Sequence, residues 1–204
     1  MQIIKYELIK KNYYNIYLSN GEVITLSDKV ITENELLLKK EIGKELYDKL
    51  LYDNKIYEYM EMGIKYISVR LRSIKEIKDY LIKKGASTCD SEKATDELVR
   101  LGYLDNDVFT KAFIKDKLNF TNIGDYKLRK ELERLGVSSS IIEDNLSNID
   151  DSVYEDRIKK IIEKDIKTNK KYDGIKLKNK IFNHLLSQGY SKERVISIIN
   201  KYNF

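Results

Sequence analysis

Three glycines, Gly85, Gly136 and Gly189, each close the same short pattern, and that repetition limits what the chain can fold into. An aliphatic residue stands four and eight places before each one: Leu81 and Ile77, Leu132 and Leu128, Leu185 and Ile181. A four-residue step keeps side chains on one face of an α-helix. A glycine just past such a run suits the left-handed C-terminal cap. RSIKEIKDYLIKKG, GDYKLRKELERLG and LKNKIFNHLLSQG therefore read as one helix written three times. The glycines are 51 and 53 residues apart, which leaves room for three helices of ordinary length with short turns. One such unit cannot bury its apolar face alone, so tandem copies stack.

The chain has no proline, so glycine does the punctuation. After Gly136 and Gly189 the next helix opens on a serine cap, in GVSSSIIEDNL and GYSKERVISII. The stretch after Gly85 is looser, with apolar positions thinned to Ala94, Leu98 and Leu101 and with Cys89 in a loop. In LGYLDNDVF, Gly102 ends a helix, Tyr103 and Leu104 form an apolar clip, and Asp105 caps the next helix. Asp150-Asp151 reads as a linker and helix start, where carboxylates are favoured.

The first thirty residues differ from the rest. Runs rich in β-branched and aromatic residues predict strands near 2–11, 13–19 and 22–26, with Asn20-Gly21 as a type I′ hairpin turn. Thr32 and Glu35 have capping-box spacing. The expected fold is mainly α: tandem three-helix repeats in an elongated curved array, preceded by a small N-terminal β-hairpin and helix segment. The expected divisions are residues 1–54 for that segment, then repeats over 55–104, 105–149 and 150–204.

Charge follows this division. The net charge is +5. Residues 55–104 carry 10 basic and 8 acidic residues, 105–149 carry 7 and 8, and 150–204 carry 13 and 8, so the basic excess sits in the first and last repeats. A modest basic excess is compatible with an anionic partner. No apolar run approaches the roughly 20 residues that span a bilayer. Cys89 is the single cysteine, which excludes an internal disulfide. These features predict a cytoplasmic protein.

Arg70, Arg72, Ser73, Glu76, Lys84 and Gly85, then Leu101-Gly102-Tyr103-Leu104-Asp105, then Gly124, Leu128, Leu132 and Gly136 form an ordered set over about residues 60–146. In this set the chain resembles the RecX family, regulators of the RecA recombinase. It departs at Leu71, where many relatives carry proline, and in the loose stretch after Gly85. The resemblance implies three-helix units that dock into the groove of a RecA filament on DNA and inhibit ATP turnover and strand exchange, without catalysis by the chain. It places the protein in DNA repair, recombination and the SOS response.

The residues agree with adhesion to a polymer. Three units of about 20 Å would reach on the order of 60 Å, and several weak contacts on one chain add up through effective concentration. The candidate contacts are Arg70, Arg72, Lys75 and Lys78 on one side of the first repeated helix, Lys127, Arg129, Lys130 and Arg134 on the second, and Lys170, Lys171, Lys176, Lys178 and Lys180 on the third. Each alone also suits a solvated helix face. Tyr66, Tyr80, Tyr103 and Tyr126 read as packing residues, and His184 as a half-buried helix residue. No phosphate-binding loop, HExxH or zinc spacing occurs, so no catalytic residue, metal or cofactor is expected. The expected partners are the RecA filament and DNA, the latter bound weakly alone, with no membrane and a monomeric chain. A general nucleic-acid-binding helical protein is the alternative, and a scaffold that ignores nucleic acid is a third reading.

Overall fold

The computed structural model describes residues 1–204. The chain forms two compact units: Met1–Arg70 with Glu76–Leu104, and Leu71–Lys75 with Asp105–Phe204.

In the first unit, β1 (Ile3–Lys10), β2 (Tyr13–Leu18) and β3 (Val23–Ser27) form an antiparallel sheet in the order β1-β2-β3. The β2–β3 turn is not type I′, because Gly21 has φ +86° while Asn20 keeps a negative φ. Leu18 donates its N–H to the Glu22 carbonyl at 2.9 Å, so three residues are looped out and only the last needs glycine's freedom. Ile16, Leu18, Ile24 and Leu26 point to one face and pack with Val30, Ile31, Leu36, Ile42 and Leu50. Helix α1 (Asp28–Glu33) is capped by Ser27, whose Oγ accepts from the Val30 N–H. The Thr32–Glu35 capping box does not form, because Thr32 lies inside α1 and its hydroxyl donates to the Asp28 carbonyl. Helix α2 (Lys44–Ile67) runs unbroken through residues 54 and 55. Its buried Asn54 accepts the Ser27 N–H at 2.8 Å and so ties the helix to the end of the sheet.

Helices α3 (Ile74–Lys83) and α4 (Thr88–Arg100) follow. Ile77, Leu81, Ala94 and Leu98 are fully buried. Gly63 of α2 lets α4 approach closely: a Cβ there would lie 2.7 Å from Leu98 Cδ1. The stretch after Gly85 is a regular helix and not a loose loop. Ser87 caps it, Cys89 is exposed in its first turn, and Asp90, Ser91 and Thr95 are buried among its core positions. Leu101 and Tyr103 are exposed, so only Leu104 of the expected clip is buried.

The second unit carries α5 (Asn106–Phe120), α6 (Asp125–Arg134), α7 (Ser139–Ser147), α8 (Asp151–Thr168), α9 (Gly174–Gln188) and α10 (Lys192–Ile199). Asp105 caps α5 and Asp150 caps α8 through their carboxylates. The α5–α7 triplet encloses Phe109, Ile114, Leu128, Leu132 and Ile142. The α8–α10 triplet encloses Ile158, Ile162, Ile181, Leu185 and Val195. Leu118 and Ile149 pack against both cores. The triplets also join through backbone: the Gly124 N–H donates to the Gln188 carbonyl at 2.9 Å and the Tyr126 N–H to the Gly189 carbonyl at 3.0 Å. A Cβ on Gly124 would lie 2.5 Å from that carbonyl, so this contact requires glycine.

The six repeat-defining aliphatic residues are all 0% exposed. Gly85, Gly136 and Gly189 take φ values of +98°, +77° and +93°, as left-handed helix stops require. The chain is mainly helical with a small N-terminal three-stranded sheet.

Candidate partner-binding surface

The predicted cations sort by what holds them. Arg70 and Arg72 do not lie on a helix face with Lys75 and Lys78. They sit in the link before α3, which begins only at Ile74. Arg70 bonds Glu76 at 2.6 Å, and Lys78 pairs with Glu92 of α4. Lys75 groups with the second unit, where its Nζ donates to the Arg134 carbonyl at 2.9 Å. That carbonyl is one of the unbonded groups at the end of α6, so Lys75 works as a C-terminal cap.

On α6, Arg129 grips Glu143 of α7 with two hydrogen bonds of 2.6 and 2.9 Å. The guanidinium holds the Glu143 carboxyl below its ordinary range. Lys130 bonds Glu133 of its own helix at 2.9 Å. The Lys127 stem lies against Gly189, 2.9 Å from where a Cβ would stand. Arg134 is the exception, with its side chain exposed and in no ion pair.

The third set behaves differently. Lys170 and Lys171 lie in the α8–α9 turn, and Lys176, Lys178 and Lys180 on α9. Lys178 donates to Asn200 at 2.9 Å, and none of the five meets a carboxylate. Lys171 and Lys180 stand 5.3 and 4.4 Å from the Tyr172 ring, a cation–π arrangement that leaves the ammonium groups toward water. Asp165 is occupied by His184, whose Nδ1 lies 2.5 Å from its carboxylate.

Sequence reasoning missed Lys160, Lys164 and Lys167 of α8. Their steps of four and three residues, continued to Lys171, put exposed lysines along one side of the helix. That spacing was visible but lay outside the glycine-anchored pattern. Two arginines it passed over are internal latches. Arg157 donates to the carbonyls of Leu118 and Thr121 at the end of α5. Arg194 of α10 bonds Asp151 at 2.6 Å, lies 3.6 Å from Asp125, and covers the Tyr154 ring at 4.6 Å. Buried among them, the Tyr154 phenol is pushed up to about 12, chiefly by desolvation.

The aromatic expectation divides too. Tyr66 and Tyr80 stack with ring centroids 4.0 Å apart, as packing residues do. Tyr103 and Tyr126 are about half exposed and are not core. No helix is long and apolar enough to cross a membrane.

No protein-family model matches the chain. It is 27% identical over 184 residues to a protein of Lactobacillus johnsonii named "Regulatory protein RecX", a match that covers 90% of this chain and 68% of the relative. It is 28% identical over 204 residues to the "Regulatory protein RecX" of Clostridium botulinum, covering 98% of this chain and 95% of the relative. A solved structure titled "Crystal structure of regulatory protein RecX" has the same fold, with a TM-score of 0.88, 20% identity, and coverage of 98% of this chain and 99% of that one. Near-full-length sequence matches that carry one name, together with a shared fold, make the chain similar throughout to the regulatory proteins named RecX.

Proposed function

We propose that this chain binds the filament that RecA forms on DNA and restrains its ATP hydrolysis and strand exchange, acting as a monomer in the cytoplasm without chemistry of its own. The family name supports regulation, and the family resemblance supplies RecA as the partner. The observation that carries the adhesive part is the unpaired lysine set of α8, α9 and the turn between them: Lys164, Lys167, Lys170, Lys171, Lys176 and Lys180. Like charges three and four residues apart on a helix destabilise it by a few tenths of a kcal/mol each. Retaining them without carboxylates makes sense where an anionic partner supplies the counter-charge. In this reading the exposed Arg134 of α6 is also open to the partner, whereas the paired Arg70, Lys78, Arg129 and Lys130 mainly hold the fold. The test is to add the chain to preformed RecA filaments on single-stranded DNA and follow ATP hydrolysis. The expected result is slowing that saturates with added chain, and an unchanged rate at stoichiometric excess rejects the proposal.

The same lysines favour one second reading, a general nucleic-acid binder. It requires tight binding to bare DNA, with affinity falling about 0.9 log units per log unit of salt for each phosphate contacted. Weak binding to bare DNA beside strong binding to the filament separates the two.

A further inference from the structure

A cleft of about 590 Å³ opens between α5, α7 and α8 of the second unit, away from the repeated helices α6 and α9. Ile114, Leu118 and Val153 contribute aliphatic surface to it, and Lys115 and Lys160 stand at its rim without ion-pair partners. The other cations there are engaged: Lys111 bonds Asp107 at 2.6 Å, and Arg157 holds the end of α5. Asp156 is the one carboxylate of the lining, and it lies 3.5 Å from Lys159.

The most informative group is Asn145, which lines the cleft and is only 8% exposed. Its Nδ2 donates both hydrogens, to Asp107 Oδ1 and to the Ile141 carbonyl, each at 2.8 Å. Both partners are pure acceptors, which fixes the orientation of the amide. Its Oδ1 accepts nothing within the protein and is left for a ligand that brings a donor.

We infer that this cleft receives a short acidic peptide segment that presents an aliphatic side chain. Each part of such a segment has a counterpart here. Carboxylates match Lys115 and Lys160. A branched aliphatic side chain matches the floor of Ile114, Leu118 and Val153. A main-chain N–H matches the Asn145 oxygen. A nucleic-acid strand fits less well, because a phosphodiester has no donor and the lining has no aromatic ring on which a base could stack. The inference does not depend on RecA being the partner, since it follows from the cleft alone.

The test is fluorescence anisotropy of a fluorescein-labelled peptide DEDLDED titrated with the full-length chain. The inference predicts saturable binding that weakens at least tenfold in K115E/K160E, weakens likewise when the peptide leucine becomes serine, and is unchanged in K40E/K44E, exposed lysines outside both the cleft and the α8–α9 set. These lysines are exposed, and matching melting curves would show that the variants fold. Absence of binding overturns the inference, as does equal loss in both double variants or indifference to the leucine. If oligodeoxythymidylate binds in the peptide's place and only K115E/K160E abolishes it, the cleft belongs to nucleic acid and the inference fails.

Discussion

The α5–α7 and α8–α10 triplets share a plan and differ in how they use charge. Each buries the two aliphatic residues before its glycine completely, Leu128 and Leu132 in one and Ile181 and Leu185 in the other. Each ends its middle helix on a left-handed glycine. Yet α6 places Arg129 and Lys130 on Glu143 and Glu133, whereas the lysines of α8 and α9 meet no carboxylate beyond the weak contacts of Lys159 with Glu155 and Asp156. The repeat therefore keeps its core and leaves its surface free to diverge. Availability of a cation depends on the neighbouring helix, and a count of basic residues misses it. The type of cation matters too. In the second unit Arg129, Arg157 and Arg194, with rigid forked donors, close contacts between helices, while the ammonium groups of Lys164, Lys167 and Lys176 remain in solvent.

If the two cores are equivalent, emptying either should do similar damage. Leu132→Ala and Ile181→Ala should each lower stability by about 2–5 kcal/mol, as large-to-small changes in packed cores do. Urea denaturation checks this, and a loss in only one variant would break the equivalence. Next in size is the joint between the triplets. Gly124→Ala would press a Cβ onto the Gly189 carbonyl and should cost about 1–3 kcal/mol. Gly43→Ala, where a Cβ would meet open space, serves as the control in the same thermal melts and should lose far less.

The smallest effect concerns the paired surface itself. A double-mutant cycle on Arg129 and Glu143 should return a coupling of about 0.2–1 kcal/mol, since the pair is largely at the surface. Its pH dependence follows from the lowered Glu143 carboxyl. A group with a depressed folded pKa contributes above its unfolded value, ~4.3 for glutamate, and loses that contribution as pH falls through the folded value. The coupling should thus be whole at neutral pH and fade in strong acid. Replacing Lys164 and Lys167 should change stability little at any pH, because no ion pair is lost.

Much of the fold was legible because the repeat is carried by features with one physical reading. An aliphatic pair at four-residue spacing before a glycine leaves few alternatives to a buried helix with a left-handed stop. Local rules failed where tertiary structure overrode them. The Thr32–Glu35 spacing suggested a capping box, but Ser27 at the end of β3 starts the helix earlier. Helix α4 looked loose because Asp90, Ser91 and Thr95 occupy its buried face. Asp90 is tolerated there because Lys55 and Ser87 satisfy it, which holds its carboxyl down to about 2. The candidate surface was less legible. Composition put the basic excess in the first and last repeats, yet the pairing of Arg70 with Glu76 of α3, or of Arg129 with Glu143 across a turn, depends on chain direction that no periodicity encodes.

The central claim is that the unpaired lysines of the last triplet, and not the paired cations of the one before it, make the contact with the filament. Binding to preformed RecA–single-stranded DNA filaments should be measured for the chain with Lys164, Lys167 and Lys171 changed to Ala, and separately with Arg129 and Lys130 changed to Ala. Three lost surface contacts of roughly 0.5 kcal/mol each predict about tenfold weaker binding for the first variant, and near-unchanged binding for the second. Equal affinities for the two variants, or the larger loss in the second, would contradict the account.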